Sequence, residues 1–509
     1  MDGRIALAVL GLWCAGCTQD PGAGSRQASH ERASAVIGAP WSVQPVRKRS
    51  FAGTPDRGDL VAYPARRVVR HDGAYTWHRA NLSEQHALQA VNGVLRITTP
   101  AGQSLQFQYE RHVEHPSGDW TWIGRAKGGA ASDEVVLTFG EQAAFGSISQ
   151  PGQAPLKLAM SGGVAWLIET DRSKIARMDN AATRPDTPDY LIPPRFDGGS
   201  GRFSPAMESS PAPASSVASA SAQATATATA TTTTTVDLLL GYTDGFAAAQ
   251  GGQSQAVTRL NNIVEITNQA YANSQLDLRV RLVHSMQVSY PDNTSSLSTL
   301  EGLTGFRANV RTSPDPAFLA LRSAREQYGA DLVSLVRTAS NDACGLAWLI
   351  GAGLSGIRSS DEYYGYSVIS DRSKTASGGN YYCREETLAH EIGHNMGSQH
   401  NLAASTVNGS LQYGAYSYSF GHQTLAGLGG FYTVMSFGDS GQTLYRVFSN
   451  PRVAFCGSNA CGVANQSDNA RSLGLTAPIV AGFRPMVVPL QKSVYYACCM
   501  PALVADDGP

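Results

Sequence analysis

Between residues 50 and 195, apolar and polar positions change over in short runs divided by Gly and Pro, most clearly at 94–97, 134–139 and 164–168. Alternation with a period of two puts successive side chains on opposite faces of a strand, so this stretch predicts a mostly β module. The pattern changes after residue 235. A strand-like apolar run at 236–242 is followed by Val257, Leu260, Ile263, Val264 and Tyr271 at helical spacing, and a second strand is expected over 276–288. The next helix is punctuated at both ends. Asp315 suits its N-cap, Pro316 loses no amide hydrogen bond in the first turn, and Gly329 falls just past the end. Residues 330–338 and 366–370 read as further strands and 346–350 as an edge strand. A helix should start near Arg384, with Glu385 and Glu386 as favourable charges in its first turn. A last helix is expected within 462–485, where Leu473, Ile479, Val480 and Phe483 are interrupted by Pro478. Strands alternating with helices imply a mixed α/β domain whose sheet packs against its helices.

Residues 204–235 break this pattern. The run is almost entirely Ser, Ala, Thr and Pro, without the large apolar side chains a core needs, and is expected to be an exposed linker. It divides the chain into a β module at 18–203 and an α/β domain at 236–485, followed by a tail at 486–509. A length of 509 residues also exceeds what one core accommodates. At the N-terminus, Arg4, the apolar stretch 5–13 and the small residues Ala15 and Gly16 before Cys17 form an export signal, 1–17. Its Ala-Gly-Cys end resembles a lipoprotein box, with lipid on Cys17 as the membrane anchor and plain secretion as the other outcome; Cys14 stands where such boxes usually have Leu. Cutting within the linker would then free the downstream domain from both module and membrane.

The net charge of −1 argues against nucleic acid as the main partner, and 16% charged residues with 52 Gly suit an exported protein rich in strands and loops. Nowhere inside the chain is there a continuous apolar run of the length a membrane-spanning helix requires. Cys344, Cys383, Cys456, Cys461, Cys498 and Cys499 all lie in the C-terminal half. The connectivity stays open in the sequence; the expected pairs are Cys344 with Cys383 and Cys456 with Cys461.

The chemistry concentrates in His390-Glu391-Ile392-Gly393-His394-Asn395-Met396-Gly397-Ser398-Gln399-His400. Residues four apart share one face of a helix, so His390 and His394 can present two imidazoles to one metal ion. Gly397 lets the chain leave the helix and return, bringing His400 as a third ligand. Three protein ligands leave one position for water, and Glu391 is placed to take its proton.

This string fits HExxHxxGxxH and resembles the zinc signature of the metzincin metalloproteases. Thr433-Val434-Met435-Ser436-Phe437 resembles that clan's Met-turn, with Met435 as the supporting residue beneath the metal. The surrounding words TLAHEIGHNMGSQH, FYTVMSF and FSNP are most similar to the reprolysin or adamalysin-like branch in its bacterial form. Two features depart from clan patterns: Asn401 follows the third His where reprolysins usually have Asp, and Phe437 excludes the tyrosine ligand of astacin-like and serralysin-like enzymes. The resemblance implies that 346–350 pairs with an extended substrate, that 436–450 walls the pocket beyond the scissile bond, and that 50–195 is a propeptide. No Cys occurs between 18 and 235, so an inhibitory propeptide must act sterically or offer the zinc a carboxylate or an imidazole. His112 and His115 are read as ordinary surface residues.

The expected function is a secreted or lipid-anchored zinc endopeptidase acting on proteins or peptides. Its expected metal ligands are His390, His394 and His400, and Glu391 is its general base; no Tyr or Arg is assignable to the oxyanion. One alternative is an inactive metalloprotease-fold binding or adhesion protein, which would usually have lost one of these four groups. Another is a zinc hydrolase of a different amide. Hydrolysis of an unfolded protein, with and without chelator, separates them.

Overall fold

The computed structural model describes residues 54–171, 174, 188–194, 233–308, 310–338, 342–371, 374–376, 379–381, 383–425, 430–439, 441–490, 495–497 and 500–502. The signal at 1–17, Cys17, nearly all of the linker, Cys498 and Cys499 lie outside them. No helix among the described residues is long and apolar enough to cross a membrane.

The N-terminal module is an antiparallel sheet of ten strands. These are β1 (Val61–Ala62), β2 (Val69–Asp72), β3 (Tyr75–Leu82), β4 (Val94–Thr98), β5 (Ser104–Glu114), β6 (Trp120–Ala126), β7 (Glu134–Phe139), β8 (Ala144–Ile148), β9 (Leu156–Ser161) and β10 (Val164–Thr170). A short helix, α1 (Glu84–Gln89), precedes β4, and its N-cap Ser83 accepts from the His86 amide. The strand path runs β1-β3-β10-β9-β8-β7-β6-β5-β4 and closes through the Leu60 amide, which donates to the Arg96 carbonyl in β4. Side chains pointing inward at every second position, including Leu95, Ile97, Phe107, Trp120, Trp122, Leu137 and Leu167, fill the enclosed core.

The second sheet runs β11 (Tyr190–Leu191), β17 (Gly345–Trp348), β18 (Tyr366–Ser370), β16 (Leu332–Arg337), β12 (Thr234–Thr243) and β13 (Leu278–Val288). Its strands are parallel except that β17 opposes β18. The helices are α2 (Asp244–Gln250), α3 (Gln253–Asn273), α4 (Ser296–Thr304), α5 (Leu319–Tyr328), α6 (Thr387–Asn395) and α7 (Asn469–Val480), with a small hairpin of β14 (Phe306–Arg307) and β15 (Val310–Arg311). Asp315 accepts from the Ala317 amide at 2.9 Å, and Gly329 ends α5 at φ +63°, where any larger residue would be strained. Disulfides join Cys344 to Cys383 and Cys456 to Cys461. The first ties the approach to α6 to the start of β17.

One face of α3 supplies Leu260, Ile263, Val264 and Tyr271 to the core, with Val257 half-buried at its margin. The opposite face is polar, yet Arg259, Asn261, Asn262, Glu265, Gln269 and Asn273 are buried as well. The β module covers them. Asn261 donates to Asp119 at 2.9 Å, Asn262 to Thr138 at 3.1 Å and Asn273 to Glu134 at 2.9 Å, while Arg111 donates to Gln269 at 2.6 Å. Buried polar groups are tolerated only when paired, so the two faces are built for each other.

Ion pairs extend this interface to the start of α6 and correct two readings. The helix begins at Thr387, three residues after Arg384, and Glu385 and Glu386 precede its first turn. Glu385 pairs with Lys157 of β9 at 2.7 Å and with Arg259 at 2.8 Å; Glu386 pairs with Arg446 at 2.8 Å, which also binds Glu134 at 2.7 Å. These carboxylates are interface ligands, because the module lies against that end of the helix. Replacing Glu134 by Ala is expected to cost roughly 1–3 kcal/mol by orphaning buried donors on Asn273 and Arg446, read as a lower urea midpoint. An unchanged midpoint would show that water replaces the carboxylate at no cost.

Candidate metal centre

Helix α6 is short and buried along its whole length. Its spacing puts His390 and His394 one turn apart, and the chain turns at Gly397 (φ +83°), where a side chain would press on Ala415 and the Ile350 carbonyl. That turn carries His400 back. His394 Nε2 and His400 Nε2 are 3.0 Å apart, and His390 Nε2 and His400 Nε2 are 3.3 Å apart. His390 Nδ1 donates to the Val434 carbonyl at 2.9 Å and His394 Nδ1 to the Ser398 carbonyl at 2.8 Å, which turns both Nε2 lone pairs inward. Burial keeps all three imidazoles neutral by lowering their pKa values.

Three neutral imidazole nitrogens facing one another need a cation between them. Nitrogens on a tetrahedral zinc with bonds of about 2.0–2.1 Å lie about 3.3–3.4 Å apart, close to the spacing here. The donor set therefore fits a borderline metal of the zinc type.

Glu391 points to the edge strand. A Cβ on Gly345 of β17 would overlap its carboxylate, so only glycine leaves it room. Its Oε2 is buried without a hydrogen-bond partner among the described residues. Burial, reinforced by the negative charge of Asp189, pushes its carboxyl well above the usual range. Exchanging Gly345 for Ala should displace Glu391 and lower activity by about 10²-fold with metal content unchanged; a loss of metal instead would mean that the edge strand supports the imidazoles themselves. Met435 lies beneath the helix, fully buried, with its sulfur where a Cβ of Gly393 would be.

Four residues here escaped the sequence reading: Gly345, Arg384, Asp189 and Tyr190. Arg384 lies 3.5 Å from His390 Nδ1, donates to the Val434 carbonyl at 3.3 Å and sits over the Tyr432 ring. Asp189, assigned by composition to the β module, belongs to a segment that joins the second sheet. Its carboxylate lies 2.7 Å from His400, 3.3 Å from His390 and 3.5 Å from His394. A carboxylate of the same chain thus stands against the three imidazoles. Burial alone would raise the Asp189 pKa, but its contacts with the three imidazoles, His400 foremost, hold it well below the carboxylate range. A proline-flanked segment with one Asp gives no periodic signal, so only tertiary placement reveals it. His112 and His115 stay away from this cluster: His112 is buried and bonded to the Tyr109 hydroxyl at 2.7 Å, and His115 to Thr121 at 2.8 Å.

Residues 232–467 match the model of the reprolysin-like metallo-peptidase family M12B, and residues 66–174 that of the BamI lipocalin-like domain. The chain is 35% identical over 268 residues to a peptidyl-Asp metalloendopeptidase of Pseudomonas aeruginosa, covering 50% of this chain and 41% of that protein. It thus spans about two fifths of that relative's length. A peptidyl-Asp metalloendopeptidase of Stenotrophomonas maltophilia is 26% identical over 447 residues, covering 86% of this chain and 92% of its own. A relative of the same name from Xanthomonas campestris is 25% identical over 396 residues, covering 75% and 80%. Among solved structures, metalloproteinase-II from Bacteroides fragilis aligns with a TM-score of 0.35 at 12% identity, over 62% of this chain and 84% of that one, too distant to bear on function. On the family match, residues 232–467 are a reprolysin-like metallopeptidase domain, and the relatives that the chain resembles are bacterial metalloendopeptidases.

Proposed function

We propose that the protein is an exported zinc endopeptidase that hydrolyses peptide bonds in proteins, with His390, His394 and His400 as metal ligands and Glu391 as general base. The observation that carries this reading is the convergence of three buried imidazole nitrogens beside one buried, unpartnered carboxylate oxygen. Zinc held there supplies Lewis acidity, bringing a water's pKa to about 7 and polarising the scissile carbonyl. Glu391 takes the proton of the attacking water and passes it to the leaving amine. The amides of β17 offer an extended substrate main-chain bonds, which give affinity with little demand on sequence. Met435 fills the space beneath α6 and fixes its height.

The relatives' name points to bonds beside aspartyl residues as the substrate class, and the buried guanidinium of Arg384 next to His390 suits an acidic side chain there. Export through residues 1–17, with or without lipid on Cys17, completes the reading. The test is casein hydrolysis by wild type and by Asp189→Asn, each loaded with zinc, stripped with chelator and reloaded. Chelator-sensitive hydrolysis restored by zinc supports it; no hydrolysis by either protein with zinc bound would point to the binding-module alternative. Peptides differing only in Asp or Asn beside the cut bond test the preference, with at least tenfold discrimination expected.

A further inference from the structure

The three imidazoles are met by a segment of the chain itself. Building on the metallopeptidase reading, we propose that Asp189 is the fourth metal ligand of this chain, and that residues 188–194 hold the enzyme latent by occupying the metal and the edge strand together.

The carboxylate spans all three imidazoles at 2.7, 3.3 and 3.5 Å, the approach a shared cation would bridge. Its neighbour Tyr190 is the anchor. That ring packs at a tilt against His394 and His400 with centroids 5.3 and 5.5 Å away, and its hydroxyl accepts from Gln399 at 2.9 Å. The Gln399 side chain in turn accepts from the His400 amide at 2.8 Å, so the segment is fastened to the loop that delivers the third ligand.

The main chain takes the remaining half of the cleft. Strand β11 pairs in parallel with β17, and the Leu349 amide donates to the Leu191 carbonyl at 2.8 Å. These are amides that an extended substrate would need, so segment and substrate compete for one edge. Pro193 and Pro194 cannot donate to a ladder and end the strand there, and Tyr364 donates to the Pro194 carbonyl at 3.4 Å. Pro188 restricts the approach on the other side, which lowers the entropy lost in docking.

The segment also explains its own survival. The Asp189 carbonyl accepts from Ala347 at 3.4 Å and is therefore turned to the strand, so the imidazoles receive a side chain and no peptide carbonyl. Nothing hydrolysable is presented to them. The β module, clasped to α3 and to the approach of α6 by the bonds described above, retains the segment from the upstream side.

The experiment uses the full chain carrying Glu391→Gln to prevent self-digestion, with Asp189 intact, Asp189→Asn or Asp189→Ala, each loaded with zinc. Affinity for a fluorescein-labelled peptide hydroxamate is read by anisotropy and metal content by elemental analysis. With one zinc per chain in all three, the probe should bind at least tenfold more tightly to the Asp189 variants, Ala being no weaker than Asn. The visible spectrum of the cobalt-substituted protein should shift between Asp189 and Asn, a change that a merely structural carboxylate would not cause. Equal probe affinity and an unshifted spectrum, with zinc bound throughout, would overturn the proposal while leaving the metallopeptidase reading intact. Failure of all three proteins to hold zinc would overturn both.

Discussion

Exchanging Glu391 for Gln should remove at least about 10³-fold of peptide hydrolysis while leaving one zinc per chain. General acid–base groups contribute about 10²–10⁴-fold, and the Glu391 Oε2 is buried without a hydrogen-bond partner among the described residues. Gln keeps the shape that fits against Gly345, so packing along α6 and β17 is preserved. What it loses is basicity. The comparison is made in the Asp189→Asn chain, which lacks the carboxylate facing the imidazoles, with kcat measured on casein and metal measured on the same sample. A variant within tenfold of its parent would assign the proton transfer to another group. Loss of zinc along with activity would instead make Glu391 a structural support for the imidazoles.

Removal of the third ligand should be as damaging by a different route. His400→Ala leaves two imidazoles on one helix face, and two nitrogens hold zinc far less tightly than three. It also deprives Asp189 of its closest partner, at 2.7 Å, and leaves a buried carboxylate facing two neutral rings. Dialysis against a weak chelator is expected to empty the variant while the parent retains one zinc, with hydrolysis falling by about 10³-fold or more. His71→Ala, on the exposed surface of β2, serves as the control and should change neither quantity. Retention of zinc by His400→Ala would mean that Asp189 alone makes up the set.

Much of this architecture was legible locally. The end of α5 followed from Gly329, while Asp315 and Pro316 open a 3-10 turn, Pro316–Phe318, that leads into the helix; capping depends on a few adjacent backbone groups. The core face of α3 followed from its spacing. Its other face did not: Asn261, Asn262, Gln269 and Asn273 read as solvated side chains until the β module is laid over them. Glu385 and Glu386 misled in the same way. Near a helix start an acidic pair suits the dipole, but their partners Lys157, Arg259 and Arg446 are far off in sequence.

The amino-acid sequence by itself determined the strand and helix periodicities and the spacing that brings His390, Glu391 and His394 onto one helix with His400 to follow. All of these act within a dozen residues, where backbone geometry leaves few choices. Only the tertiary structure decided that Asp189 meets the three imidazoles, that Gly345 makes room for Glu391, and that a polar helix face is buried. Those contacts join segments tens to hundreds of residues apart; they exist only once loop-closure entropy has been offset by a packed core, and no local pattern encodes them.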